Sequence, residues 1–141
     1  MRPSIDEYML NMAQVAASRT TCSRRAVGAV ITDHLNHILS TGYNGVPRGL
    51  DHCIDKPCKG IDYKSGDGLD ICKAQHAEVN AIVHCRDIQS AANIYLTVSP
   101  CMSCMKLIAA TNIRRIVCRE IYNSLPLDYW EDIGGEFIHI K

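Results

Sequence analysis

Two short motifs bring zinc-binding side chains and a carboxylate to the starts of two apolar stretches. The first reads His-Ala-Glu over residues 76–78, and the second reads Pro-Cys-x-x-Cys over residues 100–104. Catalytic zinc typically keeps three protein ligands and leaves its fourth position for water, and His76, Cys101 and Cys104 make three. If Cys101 begins a helix, the three-residue step to Cys104 brings both sulfurs onto one face, so one metal can bind both. The sequence therefore predicts a catalytic zinc site.

Glu78 is the carboxylate that this donor set leaves without a metal. In the first turn of a helix it can reach the open coordination position and accept a proton from water there, which a zinc ligand could not do freely. A helix N-terminus also favours thiolate over thiol, and Pro100 suits the first turn of a helix that begins at Cys101. The H-x-E and P-C-x-x-C pair is the signature of zinc nucleobase deaminases.

Each motif also has a simpler interpretation. A lone C-x-x-C sequence is compatible with a redox pair at a helix N-terminus. Taken alone, His76 is more often a core or surface histidine, and Glu78 a solvated helix residue. The combination of both motifs favours the metal site.

Length and composition limit the number of domains and the kinds of partner that the chain can have. With 141 residues and 47% hydrophobic content, the chain can bury one sizeable core. We predict a single domain over residues 1–141, with a cysteine-rich insertion around 44–72. Lys+Arg and Asp+Glu each number 15, so no overall basic field favours long nucleic acid, and a free nucleotide is the better substrate hypothesis. The sequence has no long apolar span and no signal-peptide pattern, which predicts a cytoplasmic protein without membrane contact.

The apolar pattern predicts alternating helices and strands. Ser4 and Glu7 form a capping box that opens a helix through about Arg19. The later predicted elements are strands 27–32 and 37–43 joined by a turn at 33–36, a helix from near Lys73, strand 93–98, helix 101–110, strand 115–118, a short helix at 129–133 and strand 136–140. This alternation indicates an α/β layered domain with some parallel strand pairing.

At both motifs the chain resembles the deoxycytidylate (dCMP) deaminase family within the cytidine deaminase superfamily. Further matching segments are TCSRRAVGAV at 21–30, TGYNGVPRG at 41–49 and IYLTVSPC at 94–101. The resemblance implies a three-layer α/β/α cytidine deaminase-like fold with a five-stranded mixed sheet. It also implies that the metal ligands lie at two adjacent helix N-termini.

The resemblance further implies zinc-dependent hydrolysis of dCMP to dUMP and ammonia, which supplies the precursor of dTMP. Glu78 would move the protons. The implied substrate contacts are Asn44, the Ala77 N–H, the Ser99 carbonyl and Tyr122. As simpler interpretations, Asn44 belongs to a turn signal and Tyr122 to the core. Candidate phosphate or effector contacts are Arg24, Arg25 and Arg48, although these arginines equally suit solvated loops.

Eight cysteines in a chain without a signal peptide favour metal binding over a disulfide framework. Some dCMP deaminases carry a second, structural zinc, and Cys22 and Cys53 match two of its ligand positions. Cys58, Cys72 and His52 compete for the remaining positions, and the alternative is a set of unrelated free thiols. We expect Cys85 and Cys118, which lie in apolar runs, to be buried packing residues.

Members of this family are often hexamers that dCTP activates and dTTP inhibits, so a nucleotide effector with Mg²⁺ is implied at segment 42–49. Three other functions stay open. The same chemistry could act on dCTP or deoxycytidine, and a tRNA adenosine deaminase shares both motifs but usually has a basic surface. A non-enzymatic zinc module is the third, and Glu78 argues against it because a structural site needs four ligands and no idle carboxylate.

Overall fold

A five-stranded mixed sheet organises the computed structural model, which describes residues 1–21, 25–51, 74–122 and 124–141. The strands are β1 (Gly28–Thr32), β2 (Ile38–Tyr43), β3 (Asn93–Val98), β4 (Arg115–Glu120) and β5 (Glu136–His139), in the spatial order β2-β1-β3-β4-β5. β1 pairs antiparallel with β2 and β3, whereas β3, β4 and β5 run parallel. The predicted hairpin, mixed sheet and parallel pairing are confirmed.

Helices cover both faces of the sheet. They are α1 (Ile5–Ala17), α2 (Ala77–Val83), α3 (Met102–Ala109) and α4 (Leu127–Asp132), with a 3₁₀ turn at Ile88–Ser90. Ser4 begins α1 as predicted, because its hydroxyl oxygen accepts a hydrogen bond from the Glu7 N–H at 3.2 Å.

The alternation of side chains along β3 separates two cores. Tyr95 points to one face, where it packs with Met9 and Leu10 of α1. Ile94 and Leu96 point to the other face, which α2, α3 and α4 cover. The three-layer α/β/α prediction is thereby confirmed, as is the burial of two cysteines, Cys85 and Cys118.

Several predicted boundaries are wrong by a few residues. α2 begins at Ala77 rather than near Lys73, because Gln75 exchanges two backbone hydrogen bonds with Gly45, at 3.1 and 2.8 Å. α3 begins at Met102, so Cys101 is its N-cap and Pro100 lies before the helix instead of in its first turn. β4 continues to Glu120, since its last residue still pairs with β3.

In the described part of the chain, no helix combines the length and the apolar character needed to cross a membrane. The single domain over 1–141 stays a prediction, as does the cysteine-rich insertion around 44–72, of which residues 52–73 lie outside the described ranges.

Candidate metal centre and active site

Two helix N-termini bring the three predicted metal ligands together. His76 is the N-cap of α2 and Cys101 the N-cap of α3, and neither side chain caps its own helix. Cys104 lies one turn into α3 and is buried. The Nδ1 atom of His76 is 3.2 Å from the sulfur of Cys104 and 3.7 Å from that of Cys101. All three ligand atoms lie within 4.8 Å of one another.

These distances fit a tetrahedral zinc ion. Zinc binds sulfur at about 2.3 Å and imidazole nitrogen at about 2.0–2.1 Å, which puts two such ligand atoms about 3.6 Å apart at a tetrahedral angle. The observed values of 3.2 and 3.7 Å lie on either side of that separation. One histidine and two cysteines also make a three-ligand donor set, which is typical of zinc that keeps an open position.

Hydrogen bonds among the three ligand side chains shift their pKa values in different directions. Hydrogen bonds from the Cys104 thiol and from His76 lower the pKa of Cys101 to about 3, despite its partial burial. The same bond to Cys101, together with burial, raises the pKa of Cys104 far above that of an ordinary thiol. Hydrogen bonding to Cys101 raises the pKa of His76. Cysteine ligands bind zinc as thiolates, so metal binding to this cluster must release the protons that the two thiols still hold.

Glu78 lies beside this cluster in the first turn of α2, with 4% of its surface exposed. Burial raises the pKa of its carboxyl group, and a hydrogen bond with Cys104 partly opposes that rise. A buried carboxyl group beside a metal-binding cluster is a candidate for general acid–base catalysis. Ala77, the preceding residue and the first of α2, is fully buried.

Ser99 and Tyr122 meet where β3 and β4 end. The Ser99 N–H donates to the Glu120 carbonyl at 2.8 Å, and the Ser99 Oγ accepts a hydrogen bond from the Tyr122 N–H at 2.8 Å. Ser99 is buried two residues before Cys101. These bonds hold Tyr122 next to the segment that carries a metal ligand.

Arg25 packs on this corner of the site. Its guanidinium carbon lies 3.7 Å from the centroid of the Tyr122 ring, and its Nη2 is 3.3 Å from the Glu120 Oε1. Burial lowers the pKa of Arg25, and the Glu120 carboxylate opposes the shift. The structure thus brings Arg25 and Tyr122, two of the predicted site residues, into direct contact.

The Asn44 side chain is a hydrogen-bonding centre within the fold. Its Oδ1 accepts from the Val27 N–H at 2.9 Å and from the Thr20 hydroxyl at 2.7 Å, and its Nδ2 donates to the Arg25 carbonyl. It is 7% exposed and lies next to Gly45, whose backbone pairs with Gln75 just before His76. The turn signal in the sequence does not predict these bonds.

The remaining predicted site residues divide into two groups. Arg48 is described and exposed. Six others lie outside the described residues: Cys22, Arg24, His52, Cys53, Cys58 and Cys72.

Two described residues at the site, Glu120 and Asn80, carry no recognisable sequence motif. Glu120 pairs with Arg25, and the Asn80 Nδ2 donates to the Tyr43 carbonyl at 2.8 Å, which fixes α2 to the end of β2. Both contacts join positions far apart in the chain, so no local spacing could have indicated them.

Known proteins resemble this chain over most of its length. The model of the cytidine and deoxycytidylate deaminase zinc-binding region matches residues 3–120. The deoxycytidylate deaminase of Mycobacterium phage D29 is 42% identical over 124 residues, which cover 82% of this chain and 94% of the phage protein. That of Schizosaccharomyces pombe is 36% identical over 86% of this chain, which spans only 39% of the yeast protein.

A solved structure extends the comparison to the whole fold. The dCMP deaminase of cyanophage S-TIM5, in complex with dCMP and dUMP, superposes with a TM-score of 0.76 and 26% identity, and the match covers 99% of each chain. The family match covers both metal-binding helix N-termini and the strand between them. The chain therefore belongs to the cytidine and deoxycytidylate deaminase family.

Proposed function

We propose that this protein hydrolyses dCMP to dUMP and ammonia, and so supplies a precursor of dTMP. The observation that carries the proposal is the cluster of His76, Cys101 and Cys104 with the buried, unliganded Glu78 at its side. A purely structural zinc would need a fourth protein ligand and no buried carboxylate beside it. Two phage relatives support dCMP as the substrate, because both are dCMP deaminases and both match this chain over nearly their whole length.

The chemistry divides between the metal and Glu78. His76, Cys101 and Cys104 would hold a zinc ion, which would act as a Lewis acid and make water a stronger nucleophile at neutral pH. Glu78 accepts a proton from the water whose oxygen attacks C4 of the cytosine ring. It gives this proton to ring N3, takes the second proton from the hydroxyl group now on C4 and gives that one to the departing amine, so that the C4–N bond breaks, ammonia leaves and the C4 carbonyl of uracil forms.

Four residues would position the nucleotide. We assign the ring edge to the Ala77 N–H and the Ser99 carbonyl, which adjoin Glu78 and the Cys101 segment. Asn44 would bind the sugar, because an amide has two N–H donors and its bond to Arg25 uses one. Tyr122 would lie near the ribose or the phosphate, and Arg24, Arg25 and Arg48 are the candidate phosphate or effector contacts.

We also propose a second, structural zinc ion, held by Cys22 and Cys53 with two further ligands from Cys58, Cys72 and His52. Its support is the resemblance described above. Metal analysis of Cys53→Ser tests it: the proposal expects the loss of one zinc per chain relative to wild type, and an unchanged zinc content contradicts it.

The same resemblance supports a cytoplasmic hexamer regulated by dCTP and dTTP with Mg²⁺ at segment 42–49. Light scattering after size exclusion tests the hexamer. Titration of dCMP turnover with each triphosphate tests the regulation. A monomer of unchanged activity under both triphosphates would exclude these two features and leave the chemistry intact.

The function is tested by ammonia release from zinc-loaded protein given dCMP, dCTP, deoxycytidine or a tRNA anticodon stem separately. Glu78→Gln is the inactive control. Glu131→Gln is the matched control, because it makes the same change at an exposed position of α4. Turnover of dCMP that only Glu78→Gln abolishes supports the proposal. Turnover of the tRNA stem alone, or of no substrate while zinc stays bound, overturns it.

A further inference from the structure

Hydrogen bonds join the carboxyl ends of β3 and β4 beside the metal centre. Val98 pairs with Glu120 in the parallel ladder, and the next residue, Ser99, donates its N–H to the Glu120 carbonyl. The Tyr122 N–H then donates to the Ser99 Oγ at 2.8 Å. The position of Tyr122 is therefore coupled to the segment that ends in the metal ligand Cys101.

Arg25 contacts the Tyr122 ring, in addition to the bond that the Tyr122 backbone makes with Ser99. The guanidinium lies 3.7 Å from the ring centroid, well inside the range of a cation–π contact. The Arg25 side chain is 23% exposed, whereas its ion-pair partner Glu120 is 67% exposed. An ion pair with so exposed a carboxylate contributes little, and the ring contact adds a second restraint on the guanidinium.

The backbone of Arg25 is fixed independently of its side chain. The buried Asn44 side chain bonds the Arg25 carbonyl through Nδ2 and the Val27 N–H through Oδ1. The guanidinium is thus presented from a backbone that is tied to the end of β2. A planar cation on a fixed base restricts the motion of the ring beneath it.

We propose that Arg25 is a positioning residue for the deamination, and that it acts by holding the Tyr122 ring beside the Ser99–Cys101 segment. The proposal rests on the proposed function, in which Tyr122 borders the nucleotide. It places the effect of Arg25 in substrate binding, through the ring, and not in the proton transfers of Glu78.

Kinetics of Arg25→Gln test the proposal in three backgrounds: the wild-type protein, Tyr122→Phe and Tyr122→Leu. With Tyr or Phe, each of which keeps a ring, we expect Arg25→Gln to raise KM for dCMP about tenfold and to change kcat less than about threefold. With Leu the ring is gone, and we expect Arg25→Gln to cause no further loss. Arg86→Gln, which removes an exposed guanidinium elsewhere, is the matched control.

Two kinetic results would overturn the proposal. An equal loss in the Leu background would mean that Arg25 acts on the substrate itself. A fall in kcat at unchanged KM would indicate a smaller folded fraction and a merely structural role.

Hydrogen exchange supplies a readout that needs no turnover. In zinc-loaded, ¹⁵N-labelled protein we expect Arg25→Gln to speed exchange of the Tyr122 amide at least fivefold, while amides in the middle of β3 stay protected. Unchanged exchange at Tyr122 would refute the positioning role even in an active enzyme. If instead the wild-type protein does not turn over dCMP, the proposed function fails separately, and the exchange result still decides whether Arg25 restrains Tyr122.

Discussion

The Nδ1 atom of His76 lies 3.2 Å from the sulfur of Cys104, although 28 positions separate the two residues in the chain. Neither motif can assemble the cluster alone. The contact exists because α2 and α3 pack side by side on one face of the sheet, with β3 between them in sequence. The metal centre is thus a product of tertiary packing as much as of the two local motifs.

Cys104→Ala should lose one zinc per chain relative to wild type, because two remaining protein ligands hold zinc far less well than three. Metal analysis after dialysis measures the loss. Cys85→Ala is the matched control, since Cys85 is also a buried cysteine but lies outside the cluster. A Cys104→Ala protein that keeps the wild-type zinc content would contradict the assigned ligand set.

Glu78→Gln should keep the wild-type zinc content and lose about 10²–10⁴-fold in kcat, the usual contribution of a general acid–base group. The amide is similar in size to the carboxyl but cannot accept the proton of the attacking water. Steady-state ammonia release and metal analysis on the same sample measure both quantities. Activity within tenfold of wild type would exclude Glu78 as the proton carrier.

Asp6→Asn should destabilise the fold by about 1–2 kcal/mol at neutral pH, because the Asp6 carboxylate accepts from both Arg115, at 2.7 Å, and the buried Tyr95 hydroxyl, at 3.1 Å. The hydrogen bond from Arg115 is the main cause that lowers the pKa of Asp6 in the folded state. A lowered native pKa stabilises the fold above the unfolded-state pKa, and this contribution disappears as the pH falls through the native pKa.

The difference in unfolding free energy between wild type and Asp6→Asn should therefore be largest above about pH 5 and shrink steadily below about pH 4. Urea titrations at a series of pH values measure it. A difference that stays constant down to pH 3 would show that the carboxylate charge is not the source of the stabilisation.

Gly42→Ala should lower both stability and turnover. A Cβ at Gly42 would lie 2.5 Å from the Ala77 carbonyl and 2.6 Å from the Ala81 nitrogen, so α2 must move and carry His76 and Glu78 with it. Overpacking of this kind costs about 1–3 kcal/mol. Gly28→Ala is the informative comparison, because its Cβ would collide with α1 on the opposite face.

Both glycine variants should melt at lower temperature, but at a temperature where each remains folded only Gly42→Ala should show reduced zinc affinity and kcat. Thermal unfolding, zinc titration and ammonia release on both variants measure this contrast. Equal kinetic losses in the two would mean that the site responds to global stability and not to the position of α2.

The sequence predicts much of this architecture because the relevant signals are local. A short apolar run predicts β3 with the bounds observed, Asn93–Val98, and Ser4 with Glu7 marks the start of α1. The ligands His76, Cys101 and Cys104 follow from their types and spacing. The predicted start of α2 is too early, because Gln75 pairs with the backbone of Gly45 instead of joining the helix. Local sequence does not show this contact between distant residues.

Contacts between segments far apart in the chain could not be predicted from the sequence. The stack of Arg25 on Tyr122 and the bonds of Asn44 join segments whose residues are individually ordinary turn or core types. Their geometry depends on strand order, which the residue pattern alone does not specify.

The pairing of the Gly45 and Gln75 backbones affects where related chains can gain or lose residues. Two backbone hydrogen bonds join Gly45 to Gln75, the residue just before His76. We expect insertions and deletions between these positions to accumulate over evolution without moving His76. Related proteins can therefore differ in length over 46–74 while they keep the position of His76.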